Sequence, residues 1–110
     1  MNEQIEVYIE KFPDEIINMF NVLRKLIYGS VSADLTETMW AKLPSYYNGE
    51  KFVRLIPFKD HINIEAALMT AHKNELGDYK LTPKGMLQIY VKQDIPETVL
   101  LQIFKETLGG

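Results

Sequence analysis

The stretch MWAKLPSYYNGEKFVRLIPFKDHINIE, residues 39–65, decides the fold, because it carries the strands and both turns of an antiparallel meander. Asn48-Gly49 within Tyr47-Asn48-Gly49-Glu50 is a strong hairpin signal, since Asn-Gly readily adopts the two positive φ values of a type I′ turn. Phe58-Lys59-Asp60-His61 offers a second tight turn. The predicted strands run roughly over 44–47, 51–58 and 61–66. With Asn48-Gly49 as a two-residue loop, Tyr46 pairs with Lys51 and Ser45 with Phe52. With Lys59-Asp60 as another, Phe58 pairs with His61, Ile56 with Asn63, and Arg54 with Glu65.

Side chains along a strand alternate between faces. The pairing therefore places Val53, Leu55, Ile62, Ile64 and Ala66 on one face, to be covered by helices. Tyr47, Phe52, Arg54, Ile56, Phe58, His61, Asn63 and Glu65 share the other. That mixture of aromatic and charged groups lines a groove, or else packs beneath the segment around residues 68–80. In the second case Arg54–Glu65 is a cross-strand ion pair worth under ~1 kcal/mol.

Outward from the meander, residues 3–11 read as a short helix with Ile5, Tyr8, Ile9 and Phe12 toward the core. A second helix runs from Pro13 to about Tyr28, with Ile16, Phe20, Leu23 and Ile27 at helical spacing and Gly29 to end it. Asp34-Leu35-Thr36-Glu37 has the form of a capping box that opens one or two helical turns. Thr70 to Asp78 reads as a short helix and Thr82-Pro83-Lys84-Gly85 as a turn. Leu87 to Lys92 alternates as a further strand, and Asp94-Ile95-Pro96-Glu97 starts a last helix with Leu100, Ile103, Phe104 and Leu108 on its apolar side. The expected architecture is α+β: an antiparallel sheet of about four to five strands packed against N- and C-terminal helices, in one domain over 1–110.

Composition narrows the function. A 46% hydrophobic content supports a core, and a net charge of -3 without a Lys/Arg cluster argues against nucleic-acid binding. The absence of cysteine removes disulfides, thiolate metal sites and cysteine nucleophiles, and is compatible with the cytoplasm. No secretory signal pattern and no apolar run of membrane-spanning length is present, so no membrane partner is expected. No nucleophile elbow, P-loop, dinucleotide fingerprint or His-Glu-x-x-His zinc pattern occurs, so nothing in the sequence points to a catalytic group.

Two constellations remain. Glu3, Glu6 and Glu10 recur at helical spacing with Asp14 close behind, forming either a solvated helix face or a stripe of oxygen ligands for a hard or borderline cation such as iron. Glu37 and Trp40 precede Leu43-Pro44 and are expected at the border of the open sheet face, although Glu37 also suits the capping-box role. A ligand site on that face would then comprise Glu37, Trp40, Tyr47, Arg54, His61, Glu65 and Tyr90. His72 and Glu75, three apart on a predicted helix, read as a surface pair.

Four segments carry a resemblance. Glu37-x-x-Trp40-x-x-x-Pro44-x-Tyr46, Lys59-Asp60-His61-Ile62-Asn63-Ile64, and Lys84-Gly85-Met86-Leu87-Gln88-Ile89 followed by Asp94-Ile95-Pro96 together resemble the YdhG-like family of small bacterial domains, as does Tyr8-Ile9 with Phe12-Pro13. The resemblance spans nearly the whole chain and implies a two-layer α+β domain compared with frataxin. Some members of the family are described as intracellular iron chaperones for iron–sulfur cluster or haem synthesis. It implies weak iron binding by Glu3, Glu6, Glu10 and Asp14, delivery to an iron–sulfur or haem assembly protein, and a cytoplasmic monomer or weak homodimer. The reading from another class is a small-molecule or peptide-binding module that uses the open face of the sheet.

Overall fold

Asn2 starts the first helix as its short polar side chain dictates: its Oδ1 accepts from the backbone N–H of Gln4 at 2.8 Å and of Ile5 at 3.3 Å. In the computed structural model, which describes residues 1–109, α1 is Glu3–Ile9 and α2 is Asp14–Ser30. Pro13 occupies the cap position just before α2. The helix does not stop at Gly29 but continues to Ser30, whose hydroxyl donates to the Ile27 carbonyl. Ile5 and Ile9 of α1 are buried, while Tyr8 and Phe12 pack edge-on against each other at the margin.

The segment expected to open helical turns is instead a strand. β1, Thr36–Trp40, pairs antiparallel with β2, Leu43–Asn48. Thr36, Thr38 and Trp40 have side chains that suit a pleated, half-buried surface, and pairing with β2 outweighs the local capping pattern. The connection is Ala41-Lys42, with φ of 49° and 66°. Both central residues are left-handed, as in a type I′ turn, although neither is Gly or Asn.

β3, Lys51–Pro57, follows β2 through Gly49-Glu50, with Asn48 paired to Lys51 and Tyr47 to Phe52. The loop thus sits one residue later than the Asn48-Gly49 expectation, and Tyr46 faces Val53 rather than Lys51. Gly49 alone has positive φ, which suits a type II′ turn with Gly first. Asn48 is engaged elsewhere: its side-chain amide donates to the Leu108 carbonyl at 2.7 Å, near the end of the last helix. Because the partner of Tyr46 moves by two residues, from Lys51 to Val53, every side chain keeps its face. β4, His61–Ala66, pairs with β3 as expected, with Arg54 opposite Glu65 and Ile56 opposite Asn63.

A 3-10 helix, Met69–Leu76, precedes the two-residue β5, Lys80–Leu81, and then β6, Leu87–Tyr90. The last helix, α3, is Glu97–Gly109. The sheet has six antiparallel strands in the order β1-β2-β3-β4-β6-β5, against four to five expected; the additions are β1 and the short β5.

The core lies between the sheet and the three helices. Phe20, Leu23 and Ile27 of α2 and Leu100, Ile103 and Phe104 of α3 meet Tyr46, Val53, Leu55, Ile62, Ile64, Leu87 and Ile89 of the sheet, all fully buried. Each such aliphatic or aromatic side chain stabilises by roughly 1.5–3 kcal/mol relative to exposure. Met69 and Leu76 anchor the 3-10 helix into the same core, where it contacts α3 and β5 rather than lying over the other face.

Left-handed backbone is unfavourable for residues with a Cβ. The double substitution Ala41→Asn, Lys42→Gly should therefore raise stability by about 1 kcal/mol. Urea denaturation measures it, and an unchanged or lower midpoint would contradict the strained-turn account.

Candidate functional site

The uncovered face of the sheet is ordered in rows across the strands. Thr36, Tyr47 and Phe52 form one row, and Thr38, Ser45, Arg54 and Glu65 the next. Ile56, Asn63, Gln88 and Lys80 form a third, and His61 with Tyr90 a fourth. Phe58 extends the fourth row, bonded through its N–H to the His61 carbonyl at 2.8 Å. One end is thus aromatic, the middle is ionic and then amide-bearing, and the far end is aromatic again.

Arg54 organises the ionic row. It is buried, yet three of its nitrogens donate: Nε to Ser45 Oγ at 2.8 Å, Nη1 to Glu65 Oε1 at 2.8 Å, and Nη2 to Tyr47 Oη at 3.1 Å. Its guanidinium carbon lies 4.1 Å from the centre of the Trp40 ring and 4.2 Å from that of Phe52. A planar cation is thereby held at its edges by oxygens and on its faces by rings. Trp40, Tyr47, Arg54 and Glu65 come together as the sequence suggested; Ser45 was missed.

His61 and Tyr90 lie in the other aromatic row, away from Arg54. The His61 ring stacks on Phe58 at 4.4 Å and leans on Tyr90 at 4.8 Å, and its Nδ1 is 2.7 Å from the Asp60 carboxylate. Trp40, Phe58 and Tyr90 remain 53%, 41% and 37% exposed, which leaves this face with aromatic surface that the segment 68–80 does not cover. Beside the ionic row opens a cleft of about 300 Å³, bounded by Phe52 and Glu65 of the sheet, Thr70 of the 3-10 helix, and Lys84 and Gly85 of the following turn.

Glu37 departs from the expected site. It pairs with Tyr46, whose side chain is in the core, so it points to the helical side. Arg24 of α2 clasps it with two bonds, Nε to Oε2 at 2.6 Å and Nη2 to Oε1 at 3.2 Å, and the Asn2 backbone N–H donates to Oε1 at 2.7 Å. Glu37 therefore neither borders the open face nor caps a helix. Burial would raise its pKa, but the Arg24 and Asn2 hydrogen bonds outweigh it and hold the carboxyl below its ordinary value. Burial, reinforced by the negative charge of Glu37, pushes the Tyr46 phenol far up, although its hydroxyl lacks a partner at hydrogen-bond geometry. Arg24 also lies over Tyr28, 4.7 Å from the ring centre.

Glu3, Glu6, Glu10 and Asp14 are all exposed at or near α1 and the start of α2. Among the described residues no group of three or more Asp, Glu, His or Cys side chains is gathered closely enough to hold a metal ion. His72 has a partner that the sequence hid. Besides Nδ1 at 2.7 Å from Glu75, its Nε2 lies 2.8 Å from Glu106 of α3, thirty-four positions away. Hydrogen bonds to Glu106 and then Glu75 raise the His72 pKa, so the ring favours its protonated form between two carboxylates. The two carboxylates engage opposite nitrogens, so the trio is a link between helices. No helix among the described residues is long and apolar enough to cross a membrane.

Glu37→Gln should destabilise by about 2–3 kcal/mol at neutral pH, below the range for fully buried pairs because Arg24 keeps some contact with water. The folded pKa is depressed, so the stabilisation is complete above the unfolded value and is lost as pH falls through the folded one. Urea denaturation across the acid range should show the gap between wild type and variant closing toward low pH; a constant gap would contradict this role. Compared with known protein families, curated proteins and solved structures, the chain matches none.

Proposed function

We propose that this protein is a non-enzymatic, cytoplasmic binding module that takes a small molecule or short peptide on the uncovered face of its sheet. The carrying observation is the exposed aromatic surface of Trp40, Phe58 and Tyr90 on a face that none of the helices α1 to α3 occupies. Aromatic rings provide contact area at low entropic cost, and the fixed Arg54–Glu65 pair supplies polarity between the two aromatic rows.

Trp40 is the sole tryptophan, so its fluorescence reports on this surface. A library of aromatic fragments and short peptides should include ligands that shift Trp40 emission saturably. Replacing Phe58 and Tyr90 with Ser should weaken ligands that reach the far aromatic row by about tenfold, with little loss of thermal stability. If no compound moves Trp40 emission or the amide resonances of 52–65 at millimolar concentration, the reading fails.

A second reading is weak iron binding by Glu3, Glu6, Glu10 and Asp14, with delivery to an iron–sulfur or haem assembly protein. It is supported by the resemblance to the YdhG-like family and by the exposure of all four carboxylates. Anaerobic titration with Fe²⁺ should then broaden amide resonances near these residues first. No such broadening at millimolar iron would remove it.

A further inference from the structure

We propose that the cleft beside the ionic row binds a small zwitterion of the amino-acid class, its ammonium on Glu65 and its carboxylate on Lys84. This deepens the open-face reading and rests on it. The cleft's volume of about 300 Å³ is at the lower end for small-molecule sites, which suits a single amino acid better than a cofactor.

The two charges are its decisive feature. Glu65 and Lys84 line the same cleft, yet no ion pair joins them, and Lys84 has no carboxylate within ion-pair distance among the described residues. Glu65 is already oriented: Arg54 holds its Oε1 at 2.8 Å, and the carboxylate is partly open to solvent. Arg54 compensates the charge of Glu65 but engages only its Oε1, so a ligand without an ammonium would leave the second oxygen short of a donor as water is displaced, and one without a carboxylate would leave Lys84 uncompensated. A zwitterion answers both with charge-assisted hydrogen bonds.

The walls are built for a fixed shape. Phe52 supplies an apolar side, and Arg54 on its face and Tyr47 beside it at 5.7 Å limit its freedom. The turn carrying Lys84 is drawn tight against the 3-10 helix. Gly85 has φ +83°, and a Cβ there would lie 2.9 Å from Thr70 Cγ2, so only glycine lets the two walls approach this closely. Gly85 N–H donates to the Thr82 carbonyl at 2.8 Å, and Met86 N–H to Thr82 Oγ1 at 3.0 Å, which fixes the turn from within.

The test is an amide NMR titration of the full chain with phenylalanine and leucine, alongside phenylpropionate and phenethylamine, which each keep one charge. The amino acids should shift residues 65–70 and 84–85 saturably. The single-charge analogues should bind at least about tenfold more weakly. Lys84→Gln should remove the advantage of phenylalanine over phenethylamine. Glu65→Gln should do the same against phenylpropionate, and Lys84→Gln stands alone if loss of Glu65 disturbs Arg54. Equal binding by a single-charge analogue, or an unmoved cleft, overturns the zwitterion. If Trp40 emission or the amides of 52–65 still respond to other ligands in that case, the open-face reading survives it; if no ligand moves either, both fall together.

Discussion

Arg54 places a positive charge, almost wholly removed from water, in the middle of a sheet face. An unpaired charge there would be strongly unfavourable, so its neighbours are constrained in type and place. Ser45 and Glu65 stand directly across from it on the flanking strands, and Tyr47 reaches it from one row away. Trp40 and Phe52 supply the faces. Each contact depends on register: a one-residue slip of β2 or β4 would send its contributors to the helical side. The guanidinium thus ties four strands, β1 to β4, to one alignment, and what lies on the uncovered face follows from it.

The helical side carries a second Arg–Glu pair with the opposite distribution of burial. There the carboxylate is enclosed, with 8% exposure for Glu37 against 27% for Arg24, whereas on the open side Arg54 is enclosed at 6% and Glu65 is 36% exposed. The difference separates two residues that look alike in the sequence. Glu37 is spent on both available oxygens, joining the N-terminus of α1, the middle of α2 and β1. Glu65 commits one oxygen to Arg54 and presents its carboxylate at the lip of a cleft. Glu37 holds layers together, while Glu65 has the freedom a ligand contact needs.

The second turn, the β3–β4 register and the division of faces were legible because Lys59-Asp60 is a polar break between two strand-like runs and side-chain orientation repeats every two residues. The Asn-Gly signal located the first turn within one residue; what the local signal lacked was the Asn48 amide's engagement with α3 sixty positions away. β1 was hidden for a different reason. Ala41-Lys42 carries none of the residues that favour positive φ, so the turn left no trace, and Asp-Leu-Thr-Glu offered a helical reading in its place. Arg24 and Glu106 were invisible as partners because helix periodicity says which face a residue occupies, not what it meets across the core or at its rim.

That all three helices pack on one side has a consequence for the other. A sheet face left to water is usually kept soluble by polar side chains, and here its exposed side chains include Trp40, Phe58 and Tyr90. Trp40 covers Arg54, but the core is complete without Phe58 and Tyr90. The three are not scattered: Phe58, just past β3, packs on His61 of β4, which leans on Tyr90 of β6, and Trp40 is fixed over Arg54. Rings held in register by backbone pairing lose little freedom when another surface settles on them, which lowers the entropic cost of binding. Pre-ordered aromatic rows, separated by a neutralised ion pair and flanked by a charged cleft, therefore favour recognition over bare exposure as the physical account of this face.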